Sequence, residues 1–187
     1  LWHLDLSGST VPLTATNAKT FRLETTKEGG AGLRKVWSNF APPHGGLQVE
    51  ARVRLDPGMA ASRWHLQWTG LDNRLVSKVR FPLVPGIRRQ ANERLAVPMW
   101  MGQLMHEPRA TLPGRQKAGQ RHEWAYPGLL SIQCLALYAQ GGTGLYVAAD
   151  DTSAYRKTLA ITAKADGDLS CDVSHLPEIS PAGGDTW

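Results

Sequence analysis

Apolar and polar residues alternate with a period of two along much of the chain. The clearest run is 47–55, in which every second position is Leu, Val or Ala. Successive side chains of a strand point to opposite faces, so this alternation predicts strands with one buried face. We expect consecutive antiparallel neighbours, a meander, over 47–55, 63–68 and 75–83, joined by turns at Asp56-Pro57-Gly58 and Leu71–Arg74.

Further strands are predicted on both sides of this meander. The run 129–138 is apolar on both faces, as expected for a central strand, whereas 82–121 is rich in Pro, Gly and Arg and indicates a long connection. The other predicted strands are 19–25, 36–40, 144–149, 157–162 and 169–173. Since no segment keeps a helical period with caps, the sequence predicts an all-β antiparallel sandwich in a single domain, 1–187.

Composition narrows the classes of protein that remain. Hydrophobic residues make up 42% and charged ones 20% of the 187 residues, a balance that excludes a disordered chain. No apolar run approaches the roughly 20 residues that a membrane-spanning helix needs, so we expect no membrane partner. The start at Leu1 and the end at Trp187 indicate a piece cut from a longer chain, for which secretion or a periplasmic location is favoured.

Charge is unevenly distributed along the sequence. Residues 1–149 carry 18 basic and 9 acidic side chains, and the remainder carries 3 basic and 7 acidic ones. The basic excess is concentrated at Arg74, Lys78, Arg80, Arg88, Arg89, Arg94, Arg109, Arg115, Lys117 and Arg121. No nucleic-acid-binding motif accompanies it, so we interpret these residues as solvated strand faces and loops and expect no nucleic-acid partner.

Motifs for catalysis, metals and cofactors are missing from the sequence. There is no phosphate-binding loop, no dinucleotide fingerprint, no nucleophile elbow and no paired-histidine zinc motif, and the six histidines are scattered. Cys134 and Cys171 lie in apolar alternating runs, where buried free thiols are favoured over a disulfide. We therefore predict no cofactor and no metal site.

Carboxylates are the remaining enzymatic option, since glycoside hydrolysis needs two acids facing one bond. The candidates are Asp150, Asp151 and Glu123. Adjacent residues of an extended chain point to opposite faces, which makes Asp150 and Asp151 a poor facing pair. The alternative is that Asp151-Thr152-Ser153 forms a turn in which side chains cap backbone amides.

The segment Glu123-Trp124-Ala125-Tyr126-Pro127-Gly128 combines two aromatic rings with an acid directly before a predicted buried strand. Aromatic faces stack on sugar rings while carboxylates bind hydroxyls, so Trp124 and Tyr126 are candidate carbohydrate contacts. The alternative is that both rings pack over the edge of the sandwich and that Pro127-Gly128 makes the turn.

The order of several segments resembles a known family. These segments are Val79-Arg80-Phe81-Pro82-Leu83, Arg94-Leu95-Ala96-Val97-Pro98 with Gly102, Tyr126-Pro127-Gly128, Gln133, Ala136-Leu137-Tyr138, and 144–151 with Lys157. Over residues 70–160 the chain resembles the N-terminal β-supersandwich domain, similar in fold to galactose mutarotase, of α-galactosidase-like and related bacterial glycosidases. In those proteins the domain precedes a catalytic (β/α)8 barrel.

The resemblance implies that no residue of this chain is catalytic, because the family's catalytic carboxylates lie on barrel strands. It implies the barrel domain of the same parent chain as the partner, with Tyr126, Asp150, Asp151 and Lys157 as candidates for the domain junction. The family often has a His-Asp pair where this chain has Asp150-Asp151, and the cleft His and Glu of mutarotases find no match here.

Three functions follow as hypotheses. The first is a non-catalytic module that supports the barrel of a glycoside hydrolase-like protein and carries an exposed apolar patch against it. The second is a lectin-like carbohydrate-binding module that uses Trp124 and Tyr126. The third is an enzyme in its own right, an aldose epimerase or a polysaccharide lyase.

Overall fold

The computed structural model of the chain describes residues 1–26, 31–55, 57–71, 76–112 and 120–176. Asp56 and 72–74 of the predicted turns, the basic residues Arg115 and Lys117, and the end of the chain lie outside these ranges. More than half of the described residues lie in strands and very few in helices, and the strand pairs whose registers lie within these ranges are antiparallel. The prediction of an all-β antiparallel fold is therefore confirmed.

The strands in chain order are β1 (His3–Leu6), β2 (Leu13–Thr14), β3 (Ala18–Thr26), β4 (Ala31–Phe40), β5 (Gln48–Leu55), β6 (Ser62–Thr69), β7 (Val76–Ile87), β8 (Glu93–Val97), β9 (Gln103–His106), β10 (Arg121–Tyr126), β11 (Cys134–Ala139), β12 (Gly144–Ala148), β13 (Lys157–Ala163) and β14 (Leu169–His175). A 3-10 turn covers Ala15–Asn17 and a single helical turn, α1, covers Pro108–Thr111. Within the described ranges, no helix has the length and apolarity to cross a membrane.

Contacts divide the described residues into two compact units. The N-terminal unit is Trp2–Val79, and the C-terminal unit begins at Arg80 and includes Leu1. In the N-terminal unit the strand orders are β3-β4-β5-β6 and β7-β1-β2. In the C-terminal unit they are β10-β13-β14-β7 and β12-β11-β8-β9. Strand β7 is named in both units because it runs through the boundary between them. The prediction of one domain over 1–187, like that of a supersandwich, stays a prediction.

The β3–β6 sheet of the N-terminal unit is covered over only part of its apolar face. Trp37 and Trp68 are buried there, and Trp37 packs edge-on against Trp2 with ring centroids 5.7 Å apart. Farther along the same face, Leu55 and Trp64, which the alternation predicts to be buried, are exposed. That part of the prediction is wrong, since burial requires a covering layer as well as alternation.

The meander in the structure ends one strand earlier than predicted. The observed meander comprises β3 to β6, and β7 belongs to another sheet instead of pairing with β6. Gly70, directly after β6, has a φ of +78°, and a Cβ atom there would lie 1.9 Å from the carbonyl oxygen of Gly46. Only glycine fits this close approach, and its left-handed backbone turns the chain out of the sheet.

The C-terminal unit is itself a β-sandwich. Inward residues of β8, β11 and β12 on one sheet and of β10, β13 and β14 on the other form one buried cluster. The cluster contains Leu95, Val97, Leu135, Leu137, Val147, Trp124, Leu159, Ile161, Leu169, Cys171 and Val173, among others. This apolar layer fixes the strand ends from which the loops of the unit project.

Two predictions for this unit are wrong in their boundaries. The run 129–138 is a strand only from Cys134, because 127–133 forms a loop whose Leu130 bridges to Met99. The segment 82–121 is not one long connection, since it contains the end of β7, then β8, β9 and α1. The first error comes from the apolar residues of the loop, Leu129, Leu130 and Ile132. The second comes from Pro and Gly residues, which occur here at strand ends and in β7 itself.

Candidate functional site

Three loops of the C-terminal unit meet at one end of its sandwich. They are 98–102 between β8 and β9, 127–133 between β10 and β11, and 149–156 between β12 and β13. Strands β10 and β12 end at this side and β11 and β13 begin there, as their antiparallel registers require. We call this region the loop end.

Backbone hydrogen bonds join the first two loops. The amide of Trp100 donates to the carbonyl of Leu129 at 3.1 Å, and the amide of Ser131 donates to the carbonyl of Pro98 at 2.9 Å. The hydroxyl of Ser131 donates to the same carbonyl at 2.8 Å. These bonds hold the two loops side by side.

The third loop is bonded to the second through Gln133. Its side-chain amide nitrogen donates to the carbonyl of Asp151 at 2.8 Å, and its own carbonyl accepts from the amide of Ala149 at 2.9 Å. The side-chain oxygen of Gln133 is buried without a hydrogen-bond partner. The three loops are thus connected in a row.

Large apolar side chains project from these connected loops into solvent. Trp100 is 75% exposed, Met101 is fully exposed, and Leu129, Ile132 and Tyr155 are exposed to between 40% and 58%. We call these five side chains the loop surface. Trp100 also has a φ of +56°, a left-handed conformation that is rare for a bulky residue.

A buried ion pair lies beneath the third loop. The fully buried ammonium of Lys157 donates to Oδ2 of Asp151 at 2.6 Å and to the carbonyl of Tyr155 at 2.5 Å. It also lies 5.2 Å from the ring centroid of Tyr126, within cation–π range. Three of the predicted site residues, Tyr126, Asp151 and Lys157, therefore form one cluster.

The carboxylate of Asp151 accepts hydrogen bonds from backbone amides as well as from Lys157. Oδ1 accepts from the amide of Ser153 at 2.9 Å, and Oδ2 accepts from the amide of Tyr155 at 2.8 Å. Burial alone would raise the pKa of Asp151, but the hydrogen bonds from Lys157 and the two amides lower it. The interpretation of Asp151 as the cap of a turn is confirmed, and its role is to fix the third loop.

His175 lies in register beside Lys157, which is opposite Tyr126 on the next strand. The pKa of His175 is lowered to about 4, chiefly by burial and in part by the charge of Lys157, while the hydrogen bond to the carbonyl of Phe81 and the charge of Asp151 act in the opposite direction. The imidazole is therefore neutral at pH 7, as a position inside the sandwich requires.

Trp124 lies in β10, although the Pro-Gly pair that follows this segment suggests a loop. Its ring is 1% exposed within the buried cluster and lies 4.4 Å from the ring of His122. A ring enclosed in this way has no free face for a sugar, which removes Trp124 as a stacking platform. Tyr126 is half-buried beside Lys157.

The predicted carboxylate candidates are separated. Asp150 is exposed in the third loop, Asp151 is held as described, and Glu123 lies on the outward face of β10, where it pairs with Arg121. Arg121 also pairs with the buried carboxylate of Asp172. The structure thus does not bring Glu123 and Asp151 together as a facing pair of acids.

A groove of about 310 Å³ lies at the opposite end of the same unit, beside the β11–β12 hairpin. Leu137 and Leu145 line its apolar part, and Gln90 and Thr143 hydrogen-bond to each other along it at 3.1 Å. Among the described residues that line the groove, the one carboxylate, Glu93, is buried and paired with Arg109, so none of these residues offers a free acid for chemistry.

Some of the basic residues that make up the predicted excess form ion pairs and hydrogen bonds inside the fold. Arg109 donates to both oxygens of Glu93 and to two backbone carbonyls, and Arg121 is held by Asp172 and Glu123. Arg88 and Arg89 are exposed. The interpretation as solvated residues agrees with the exposure of Arg88 and Arg89. It is wrong for Arg109 and Arg121, which form ion pairs with buried carboxylates.

Within the described part of the chain, no three His, Cys, Asp or Glu side chains are grouped as metal ligands. Both cysteines are free thiols, Cys171 buried and Cys134 half-buried. Burial raises the pKa of Cys171 to about 12, so its thiolate is not available as a nucleophile or ligand near neutral pH.

Comparison with protein-family models, with curated proteins and with solved structures found no match for the chain.

Proposed function

We propose that the chain is a non-catalytic β-sandwich module of a glycoside hydrolase-like protein. In this proposal it docks on the catalytic barrel domain of the same parent chain and helps to shape the carbohydrate cleft there. The observation that carries the proposal is the loop surface, which presents Trp100 and Met101 to solvent at the end of the sandwich where the predicted junction residues Asp151 and Lys157 also lie.

Energetic reasoning supports docking at this surface. Tryptophan and methionine are enriched at the centres of protein interfaces, and exposed apolar groups there gain about 25 cal/mol per Å² when water is removed. The bonds from Trp100 to Leu129 and from Gln133 to Asp151 hold the loops in place before a partner arrives. A preorganised surface loses less conformational entropy on binding.

The segments that carry the family resemblance give a second argument for docking at the loop surface. Tyr126-Pro127-Gly128 leads into the second loop, and Asp150-Asp151 begins the third. Residues that the resemblance assigns to a domain junction thus lie at the same end of the sandwich as the loop surface. A barrel bound there would bury the apolar side chains and leave the exposed Asp150 at the rim.

The proposal is tested by association in solution. The chain and the barrel segment of its parent are produced separately, and their dissociation constant is measured by calorimetry. The double variant Trp100→Ser/Met101→Ser is expected to weaken binding at least tenfold. The matched control Leu104→Ser/Tyr146→Ser, which removes two other exposed apolar side chains of this unit, should change it less than twofold. Equal changes of the dissociation constant in the two double variants, or no association of the chain with the barrel, would contradict docking at the loop surface.

A lectin-like function is the second candidate, because Trp100 offers the open indole face that Trp124 lacks. Calorimetric titration of the chain with neutral oligosaccharides separates the candidates. A scaffold gives no heat, whereas a lectin gives heat that Trp100→Ala abolishes and Trp124→Phe preserves. The epimerase or lyase hypothesis stays a prediction.

A further inference from the structure

The groove beside the β11–β12 hairpin has a floor of aliphatic side chains. Leu137 of β11 and Leu145 of β12 lie opposite each other in register, and Ile87 is the last residue of β7. All three side chains line the groove and belong to, or pack against, the buried cluster of the C-terminal unit. Leu137 is buried, whereas Ile87 and Leu145 are half-buried. The groove is thus a place where the apolar core of this unit reaches the surface.

A small void lies inside the core next to this floor. The void measures about 10 Å³, and Ile87, Leu137 and Leu145 line it as well as the groove. The other residues that line it within the described ranges are aliphatic, apart from Cys171. A water molecule there would lack hydrogen-bond partners, so the void stays dry and the atoms around it lose dispersion contacts. An alkyl group that reached the void from the groove would restore these contacts.

The rim of the groove carries hydrogen-bond donors. The side chains of Gln90 and Thr143 hydrogen-bond to each other at 3.1 Å, Arg88 also lines the groove, and all three residues are exposed. The guanidinium only donates, whereas the amide and the hydroxyl can donate or accept. Glu93, which lines the groove as well, accepts from Arg109 with both carboxylate oxygens, at 2.6 and 3.0 Å, and is therefore already engaged. The rim is suited to an acceptor group such as a carboxylate.

We propose that the groove binds the anion of a medium-chain fatty acid. The carboxylate accepts charge-assisted hydrogen bonds at the rim, from Arg88 and Thr143, and the alkyl chain lies on the aliphatic floor with its last carbons toward the void. The groove measures about 310 Å³, at the lower end of the range of about 300–1,000 Å³ that is usual for ligand pockets, so a chain of about eight carbons fits it better than a long one. This site lies at the other end of the unit from the loop surface and does not depend on docking there.

An alkyl chain suits the floor better than a sugar does. A sugar carries hydroxyl groups on most of its carbons, and burial of these groups against Ile87, Leu137 and Leu145 would leave them without hydrogen-bond partners. Tyr138 also lines the groove. It directly follows Leu137 along β11, so its ring points to the opposite face of the sheet and offers no stacking surface over the floor.

The test uses the whole chain and octanoate as the probe, with binding measured by calorimetry. Two comparison ligands separate the head from the chain. Butanoate has the same head on a shorter chain, and octylammonium has the same chain with a head that only donates hydrogen bonds.

Two matched pairs of variants locate the binding site. Arg88→Gln is compared with Arg89→Gln, a change at an exposed neighbour outside the described lining of the groove. Leu145→Ser is compared with Leu23→Ser, which makes the same change at an exposed leucine of the N-terminal unit. Circular dichroism checks that each variant keeps its strands.

We expect octanoate to bind at least tenfold more tightly than butanoate, because each buried methylene group contributes about fourfold in affinity. It should also bind more tightly than octylammonium. Arg88→Gln and Leu145→Ser should each weaken octanoate binding at least fivefold, and their two controls less than twofold. Equal losses within either pair would indicate attraction by net charge or adsorption to exposed apolar side chains, and would overturn the proposal. So would the absence of octanoate binding, an affinity that does not depend on chain length, or octylammonium binding that is as tight.

Discussion

Lys157 is fully buried, and its ammonium lies 2.6 Å from the carboxylate of Asp151, which is only partly buried. The two residues are six positions apart, so their contact closes the third loop of the loop end. Because the lysine is the more deeply enclosed partner, the two halves of this ion pair are not equivalent. Removing one charge has a different consequence from removing the other.

Asp151→Asn should therefore destabilise the chain more than Lys157→Met. The first change leaves an uncompensated charge inside the sandwich, which costs about 3–5 kcal/mol, whereas the second leaves a carboxylate that still accepts from two amides. The double variant should recover most of the loss. Urea denaturation measures all three, and equal effects of the two single changes would show that burial of the lysine is not the controlling factor.

Trp124→Ala should destabilise the C-terminal unit by about 3–5 kcal/mol, because it empties a volume in the buried cluster. Trp100→Ala serves as the control, since the same truncation at an exposed indole should change the free energy of unfolding by less than about 0.5 kcal/mol. Thermal unfolding of the two variants provides the comparison. Similar midpoints would contradict the assignment of Trp124 to the core.

Stability should fall as the pH is lowered from about 6.5 to about 4. In this window His175 binds a proton in the unfolded chain, where its pKa is near 6.5, but not in the folded chain, where the pKa is about 4. The unfolded state is thereby favoured, by up to about 3 kcal/mol at the acid end. His65 and His122, whose pKa values are also lowered, act in the same direction.

His175→Gln isolates this effect, because glutamine keeps a donor for the carbonyl of Phe81 and cannot titrate. Denaturation curves of the variant at a series of pH values should show a shallower decline between pH 6.5 and 4 than those of the parent chain. An unchanged slope would assign the acid sensitivity to other groups.

The two thiols should react at different rates with a thiol-specific reagent under native conditions. Cys134 is half-buried at the start of β11, whereas Cys171 is enclosed in the sandwich, where burial raises its pKa to about 12. One equivalent should react quickly, and Cys134→Ser should abolish that phase. Rapid reaction of both thiols would mean that the sandwich opens easily.

The period-two pattern predicts nine of the fourteen strands among the described residues, β3 to β7 and β11 to β14, because alternation depends only on neighbours along the chain. It does not predict β1, β2, β8, β9 and β10. It misses the departure of β7 from the meander, since that step depends on the approach of Gly70 to the carbonyl of Gly46, two positions 24 residues apart. It also misplaces Leu55 and Trp64. Their exposure depends on where the covering layer ends, and a single strand carries no information about that.

The site residues show the same contrast between local features, which the sequence predicts, and contacts in the tertiary structure, which it does not. Asp151 is recognisable as a turn cap from its neighbours, but its ion pair with Lys157 is not, because a lysine in an alternating run indicates a solvent-facing position. Trp124 is misassigned because Pro127-Gly128 suggests a loop, although 121–126 itself alternates. The loop surface around Trp100 is not recognisable from the sequence, since exposure is a property of tertiary structure.

The partly covered β3–β6 sheet determines how the chain behaves at high concentration. Phe21, Leu23, Leu33, Leu55 and Trp64 form an uncovered ladder on one face of this sheet. Two copies that met along these ladders would shield them from water, so a concentrated sample of the chain should self-associate and lose solubility. Purification and storage of the chain therefore call for dilute, low-temperature conditions, in which hydrophobic association is weakest.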